Sequence, residues 1–313
     1  SARVKVITIN SDLPEIVRTF QSRGIHVRMQ TNGLADEEAI HRVIEAGGND
    51  ISISLDTLVP ETQEAINGSV PGSWHRAIKA ISLFTQYLPA KNSFASLGCV
   101  LQRANFRDIE DVIRFGTRIG WFTSLVPVHT TGQHNPRGFC AFDRSLMLTA
   151  EQRAEIDTLI DRVKTMQKEG FLVVPSNRYY DNFKAFVHGQ PLTWRDGNSG
   201  VCDSPNLYFA ILPNGEMAPC CDWRLDSTRL FAYADDFCRR MNDPEIRTDI
   251  HVITAACPGC LYGSFPEITI SMRHLDDKIR KTIHFLKTPP RPGPYSYEEM
   301  LEIAAEIRNG PSQ

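Results

Sequence analysis

No apolar run among the 313 residues approaches the roughly 20 needed to cross a bilayer, and the N-terminus lacks the charged, apolar and small-residue order of a secretory signal. The chain therefore reads as soluble and cytoplasmic, with no membrane partner. It also lacks a basic excess: 34 Lys and Arg against 37 Asp and Glu give a formal net charge of -3 and a pI near 6.3. Without a positive field to attract phosphates, nucleic acid is not an expected partner. Low-complexity tracts are absent, and so is any internal repeat beyond an alternation of strands and helices.

What is present is enough apolar sequence for a real core, 42% hydrophobic residues with 23% charged, which suits one large domain with a smaller appendage. Residues 3–9 (RVKVITI), 26–30, 50–55 (DISISL), 94–101 and 122–129 read as β-branched strands. Between them, residues 13–23, 36–46, 74–88 and 109–119 carry helical periodicity, and a long helix is expected near 150–168. Such alternation is the mark of parallel βαβ units, wound into a doubly wound sheet or a barrel. From about Asn198 the composition shifts to Gly, Asn, Asp, Pro and Cys. A hairpin is expected over 208–219, turning at Asn214-Gly215, where both residues tolerate positive φ. Beyond it, 276–286 reads as helix and the Pro-rich run 289–294 as a linker. Ser296 and Glu299 form a capping box for a last helix.

Six of the eight cysteines fall between Cys202 and Cys260. In a reducing compartment that crowding points to metal or redox chemistry rather than disulfides. Cys257 and Cys260 form a C-x-x-C pair whose Pro258-Gly259 favours a tight turn; Cys202 and Cys220, at the base and end of the hairpin, complete a possible four-sulfur shell. Zinc and an iron-sulfur cluster both accept four thiolates, so ligand type alone leaves the choice open, as it leaves open a thiol redox pair at Cys257 and Cys260. Cys221 and Cys238 read as spare thiols behaving as small buried hydrophobes.

Met29-Gln30-Thr31-Asn32-Gly33 at a strand end, followed by Ile53-Ser54-Leu55-Asp56 and then by Glu61, Gly68 and Trp74, resembles the third and fourth barrel strands of radical S-adenosylmethionine (radical SAM) enzymes. Cys202, the hairpin, Pro219-Cys220-Cys221-Asp222 and Cys257-x-x-Cys260 are similar to the twitch form of the SPASM extension of that family. The resemblance, over about residues 3–262, implies an α/β fold. Residues 1–195 would form a partial (β/α)6 TIM-like barrel, 196–265 a cysteine-rich hairpin and helix module for one auxiliary [4Fe-4S] cluster, and 266–313 a helical tail. The family's C-x-x-x-C-x-x-C is not in the sequence, and neither is the Gly-Gly-Glu run after the second strand. A radical-generating [4Fe-4S] cluster is therefore expected from a missing N-terminal segment.

The family's activity is reductive cleavage of S-adenosylmethionine to a 5'-deoxyadenosyl radical. That radical takes a hydrogen atom from a small-molecule or peptide substrate in biosynthesis, leading to oxidation, epimerisation or bond formation. An external donor such as flavodoxin or ferredoxin supplies electrons, and the auxiliary cluster assists their transfer. By resemblance, Thr31, Asn32, Gly33, Ser54, Asp56, Arg103 and Asn105 face the cofactor, and Cys202, Cys220, Cys257 and Cys260 hold the cluster. An ordinary left-handed turn explains Thr31-Asn32-Gly33 equally well. His129, Thr130 and Thr131 are substrate-side candidates, though a lone histidine there is more often structural. Arg224, beside Asp222 and Trp223, either clamps an anion or pairs with a nearby acid. Loop 132–148 and the C-terminal helices are expected to help close the site. The alternative class is a non-catalytic zinc- or cluster-stabilised scaffold.

Overall fold

The computed structural model describes residues 3–7, 12–129, 146–174, 176–194, 202, 205, 208–220, 223–225, 228–257 and 259–310. Asn198, Thr130, Thr131, Cys140, Cys221, Asp222 and most of loop 132–148 lie outside them. The chain forms two compact units. Unit 1 comprises residues 1–126, 161–174 and 287–313, and unit 2 comprises 127–160 and 175–286.

In unit 1, strands β1 (Arg3–Ile7), β2 (His26–Thr31), β3 (Asp50–Ser54), β4 (Phe94–Leu101) and β5 (Phe122–Pro127) lie in one sheet in chain order. The register is parallel from β1 to β4, for example Val6 with Met29, Thr31 with Ile53 and Ser54 with Gly98. Helices α1 (Leu13–Gln21), α2 (Glu37–Glu45), α3 (Pro60–Ile66), α4 (Ser73–Tyr87) and α5 (Ile109–Arg118) make the crossovers. A doubly wound sheet reverses its strand order at a switch point, whereas this order advances steadily; with right-handed crossovers the winding is that of a partial barrel. After α6 (Ala150–Lys168), residues 172–174 take the sixth position. Thr123 and Val173 form a parallel bridge: Thr123 N–H donates to Leu172 O at 2.7 Å, and Val174 N–H donates to Thr123 O at 3.0 Å. Ile51, Ile53, Leu97, Ile78, Ile81, Val112, Ile113 and Phe115 are fully buried, as strands covered on both faces require.

The segment read as a linker is an ordered strap. Tyr295 N–H donates to Thr85 Oγ1 and Tyr295 O accepts from Ser82 Oγ, while Arg291 donates to Ser93 O and Pro89 O. The final helix, which ends the chain order as α12 (Tyr297–Asn309), begins at the expected Ser296/Glu299 capping box and packs on α4 and α5 through Met300, Ile303 and Ala304.

Unit 2 contains α7 (Asn177–Val187), β6 (Ala210–Ile211), β7 (Met217–Ala218), α8 (Phe237–Arg240), α9 (Pro244–Ala256), α10 (Ser264–Arg273) and α11 (Leu275–Lys287). The hairpin turn differs in detail from the expectation: only Gly215 has positive φ, +81°, while Asn214 Oδ1 accepts the Glu216 N–H. With Gly215 N–H on Leu212 O, this is a three-residue loop closed by a left-handed glycine. Met217, Leu225, Leu230, Ile246 and Ile250 form a small core that packs the hairpin on α9. No described helix is long and apolar enough to cross a membrane.

Met300 is fully buried, so Met300→Ala should destabilise the protein by about 2–5 kcal/mol in urea unfolding. A loss near zero would mean that α12 does not contribute to the core.

Candidate functional site

Helix α9 delivers the C-x-x-C pair. Cys257 is its C-cap, with φ -70° and ψ 127°, the extended backbone that a residue before proline is forced into. Gly259 then turns with φ +98°, and its N–H donates to Cys257 Sγ at 3.4 Å. Burial pushes the Cys260 thiol up; the Tyr262 amide opposes this, and the Cys257, Cys202 and Cys220 thiols add to it. The four cysteines line one pocket in unit 2, walled by Trp194, Trp223, Pro205, Pro219, Ile253 and Phe265. Cys202 Sγ also lies 3.9 Å from Thr269 Oγ1. The expected quartet is thus brought together around a cavity; among the described residues no three His, Cys, Asp or Glu converge on a point as ligands of a single ion. Cys99 is buried, but Cys238 is exposed, which corrects its reading as a buried hydrophobe: it sits on four-residue α8 at the surface of the unit.

Tyr179, which the sequence did not single out, and His129, here in a structural place, hold this turn. Leu261, next after Cys260, has both backbone polar groups taken: its N–H donates to His129 Nε2 at 2.9 Å, and its carbonyl accepts from Tyr179 Oη at 2.7 Å. His129 stacks on Tyr262 with ring centroids 3.9 Å apart and meets Phe186 at 5.0 Å. Burial lowers its pKa to about 4, against a smaller opposing hydrogen bond with the Pro127 backbone. A neutral ring that accepts at Nε2 is a strut for the cysteine turn rather than a free proton carrier. Arg224 donates from Nη1 to the Trp223 and Cys220 carbonyls, bracing the Cys220 loop.

In unit 1 the expected cofactor residues gather at the C-terminal ends of β2, β3 and β4. Thr31 is buried, and its Oγ1 accepts the Gly33 N–H; Asn32 is exposed, and its Oδ1 accepts the Leu34 N–H. Gly33 has φ +80°, and a Cβ there would stand 2.6 Å from Ala77 Cα, so turn geometry and close packing on α4 account for it fully. Ser54 is half-buried at the end of β3. Asp56 is buried, which raises its pKa to about 6 despite the Val100 N–H at 2.6 Å. Asn105 is fully buried and spent on the scaffold: its Nδ2 donates to Asp56 O and Val100 O, and its Oδ1 accepts the Gln102 N–H. Arg103 is exposed at the start of the same turn. Gln63 was not anticipated; its Oε1 accepts the Asp56 and Thr57 N–H groups and fixes the loop after β3.

Residues 6–116 match the family model described as the Radical SAM superfamily. This stretch, about a third of the chain, is similar to radical SAM domains. The match ends within α5, and the cysteine pocket lies outside it. Two curated proteins, named probable GTP 3',8-cyclases, are similar over part of the chain. The one from Methanococcus vannielii is 25% identical over 41% of this chain and 42% of its own length. The one from Methanocaldococcus jannaschii is 26% identical over 38% of each. The matches therefore span well under half of these relatives. Among solved structures, native anSMEcpe with bound AdoMet superimposes with a TM-score of 0.55 at 15% identity, over 97% of this chain and 84% of that one. A form of that protein with bound AdoMet and the Cp18Cys peptide gives 0.52 at 14%, over 97% and 99%. At such identity the likeness is one of fold, and it agrees with the partial barrel.

The unfolded His129 imidazole takes a proton from about pH 6.5 downward, whereas the folded one resists to about pH 4. The unfolded state then binds more protons across that window, and stability falls as pH drops through it, by ~3 kcal/mol at most. Asp56, raised to about 6, acts in the opposite sense over the same window, so the His129 contribution is read as a difference: between about pH 7 and about pH 5 in urea unfolding, wild type should lose more stability, or gain less, than His129→Gln. An equal slope in that variant would remove His129 as the cause.

Proposed function

We propose that the chain is the S-adenosylmethionine-binding barrel and auxiliary-cluster portion of a radical SAM enzyme, with one [4Fe-4S] cluster held by Cys202, Cys220, Cys257 and Cys260. The observation that carries this reading is the meeting of four thiols, from three separated stretches of chain, around one cavity in a protein that also contains a stretch similar to radical SAM domains. Thiols that rim a cavity suit a cluster with one iron per thiolate better than a single ion shared by all four, whose sulfurs would stand only about 3.8 Å apart around Zn–S bonds of roughly 2.3 Å. The backbone N–H groups directed at Cys257 and Cys260 supply the hydrogen bonds to sulfur that such clusters use. Ligation by four cysteines favours electron transfer over binding of substrate to the cluster.

On the barrel, Thr31, Ser54 and Asp56 offer hydroxyl and carboxylate groups to the ribose and amino-acid parts of S-adenosylmethionine, at the strand ends where barrel sites form. Asn32 and Arg103 are exposed beside them and complete the set. Asn105 and Gly33 shape that site without spare polar capacity of their own. When bound, the family's reduced cluster supplies the electron that cleaves S-adenosylmethionine and so starts hydrogen-atom abstraction from substrate. The 313 residues include no C-x-x-x-C-x-x-C set for that cluster, so no step is assigned through it. The substrate is a small molecule or a peptide, and a flavodoxin- or ferredoxin-like protein is the electron donor. The names of the cyclase relatives and the peptide-bound neighbour support both substrate classes.

Anaerobic reconstitution of the 313-residue chain tests the cluster. About four irons and four sulfides per chain, falling to near zero in Cys257→Ala/Cys260→Ala, is the expected result. Stoichiometric zinc in place of iron would instead make unit 2 a structural zinc module, and a reversible Cys257–Cys260 disulfide without metal would make it a thiol redox pair.

A further inference from the structure

Trp194 is 1% exposed, and its indole Nε1 has no hydrogen-bond partner among the described residues. It lines the same cavity as the four cysteines. A buried N–H without an acceptor loses its hydration and gains nothing in return, so such a donor is expected to meet an acceptor in the working protein. The fold also spends buried polar groups on placing this residue. Asn182 Oδ1, on α7, accepts the N–H of Thr193 at 2.7 Å and that of Trp194 at 3.0 Å, and its Nδ2 is held by Arg178 O at 2.9 Å. Asn182 is itself 1% exposed. Proline, isoleucine and phenylalanine side chains make up much of the remaining wall, which leaves sulfur as the abundant side-chain acceptor in the cavity.

We propose that Trp194 donates its indole N–H to a sulfur of the iron-sulfur cluster held by Cys202, Cys220, Cys257 and Cys260, and so raises the cluster's reduction potential. This rests on the cluster reading of unit 2. Cysteinyl sulfur and bridging sulfide share the relevant chemistry: both gain negative charge on reduction. A fixed N–H dipole stabilises the reduced form more than the oxidised one. Trp194 is thus a positioning and tuning residue and not a ligand.

The test uses the reconstituted 313-residue chain and Trp194→Phe, which keeps an aromatic wall and removes the donor. Iron and sulfide per chain should be unchanged, and the midpoint potential should shift to a lower value. An unchanged or raised potential with full iron would overturn the proposal. Because the substitution could also disturb assembly, the wild-type protein is measured independently with tryptophan labelled by the heavy nitrogen isotope. Pulsed magnetic resonance of the reduced cluster should then show a nitrogen coupling that survives Trp223→Phe, the other cavity-lining tryptophan. No coupling in the wild type, or a coupling lost with Trp223, would also overturn it. Failure of the wild type to bind iron would sink the cluster reading itself, an outcome separate from a cluster that forms but ignores Trp194.

Discussion

The two hydrogen bonds on Leu261 are the constraint from which the rest of unit 2 follows. A C-x-x-C turn has few side chains of its own to define where it points, and its backbone must be satisfied wherever it is buried. Here the residue after Cys260 is gripped on its N–H by His129 and on its carbonyl by Tyr179. Both partners are themselves immobilised, His129 by stacking on Tyr262 and Tyr179 by full burial against Tyr180 and Phe183. With the exit of the turn pinned and its entrance set by the end of α9, Cys257 and Cys260 can face one cavity together with Cys202 and Cys220. Replacing either grip leaves a buried backbone group unpaired, a cost of about 1–3 kcal/mol each.

Unit 1 shows the same economy at the strand ends. The loop after β3 is held by side chains acting as backbone partners: Gln63 takes two amides, while Asn105 ties Asp56 to the end of β4. A rigid rim fixes Asp56 just beyond β3, beside Thr31 and Ser54 at the ends of their strands. Burial of Asp56 works against its charge and raises its pKa to about 6, although the Val100 and Gln63 hydrogen bonds oppose this. The scaffold lies in the sheet and helices, and the polar groups of Thr31, Ser54 and Asp56 stand where the strands stop.

Much of the barrel was legible in the sequence because period and composition speak locally. β-branched runs such as Asp-Ile-Ser-Ile-Ser and amphipathic stretches such as 109–118 need no distant partner to be recognised. The cysteine quartet was legible because thiols are rare and their spacing is informative. The sixth strand position was not, since three residues, Leu172-Val173-Val174, carry too little pattern. The run 289–294 reads as a linker because prolines hide an ordered backbone, and with Tyr295 it makes hydrogen bonds to residues about 200 positions away. Most opaque were Tyr179, Asn182, Trp194 and the partner that His129 supports. Each owes its function to a tertiary neighbour, as with the 82 and 132 residues that separate Tyr179 and His129 from Leu261, and no local motif marks them.

The account stands on a metal cluster lying among four particular sulfurs, and anomalous diffraction from an anaerobically grown crystal examines that claim directly. A strong peak at the iron absorption edge, centred between Cys202, Cys220, Cys257 and Cys260, is the predicted result. A peak only at the zinc edge, or four thiols with no anomalous scatterer among them in protein shown to contain iron, would contradict it.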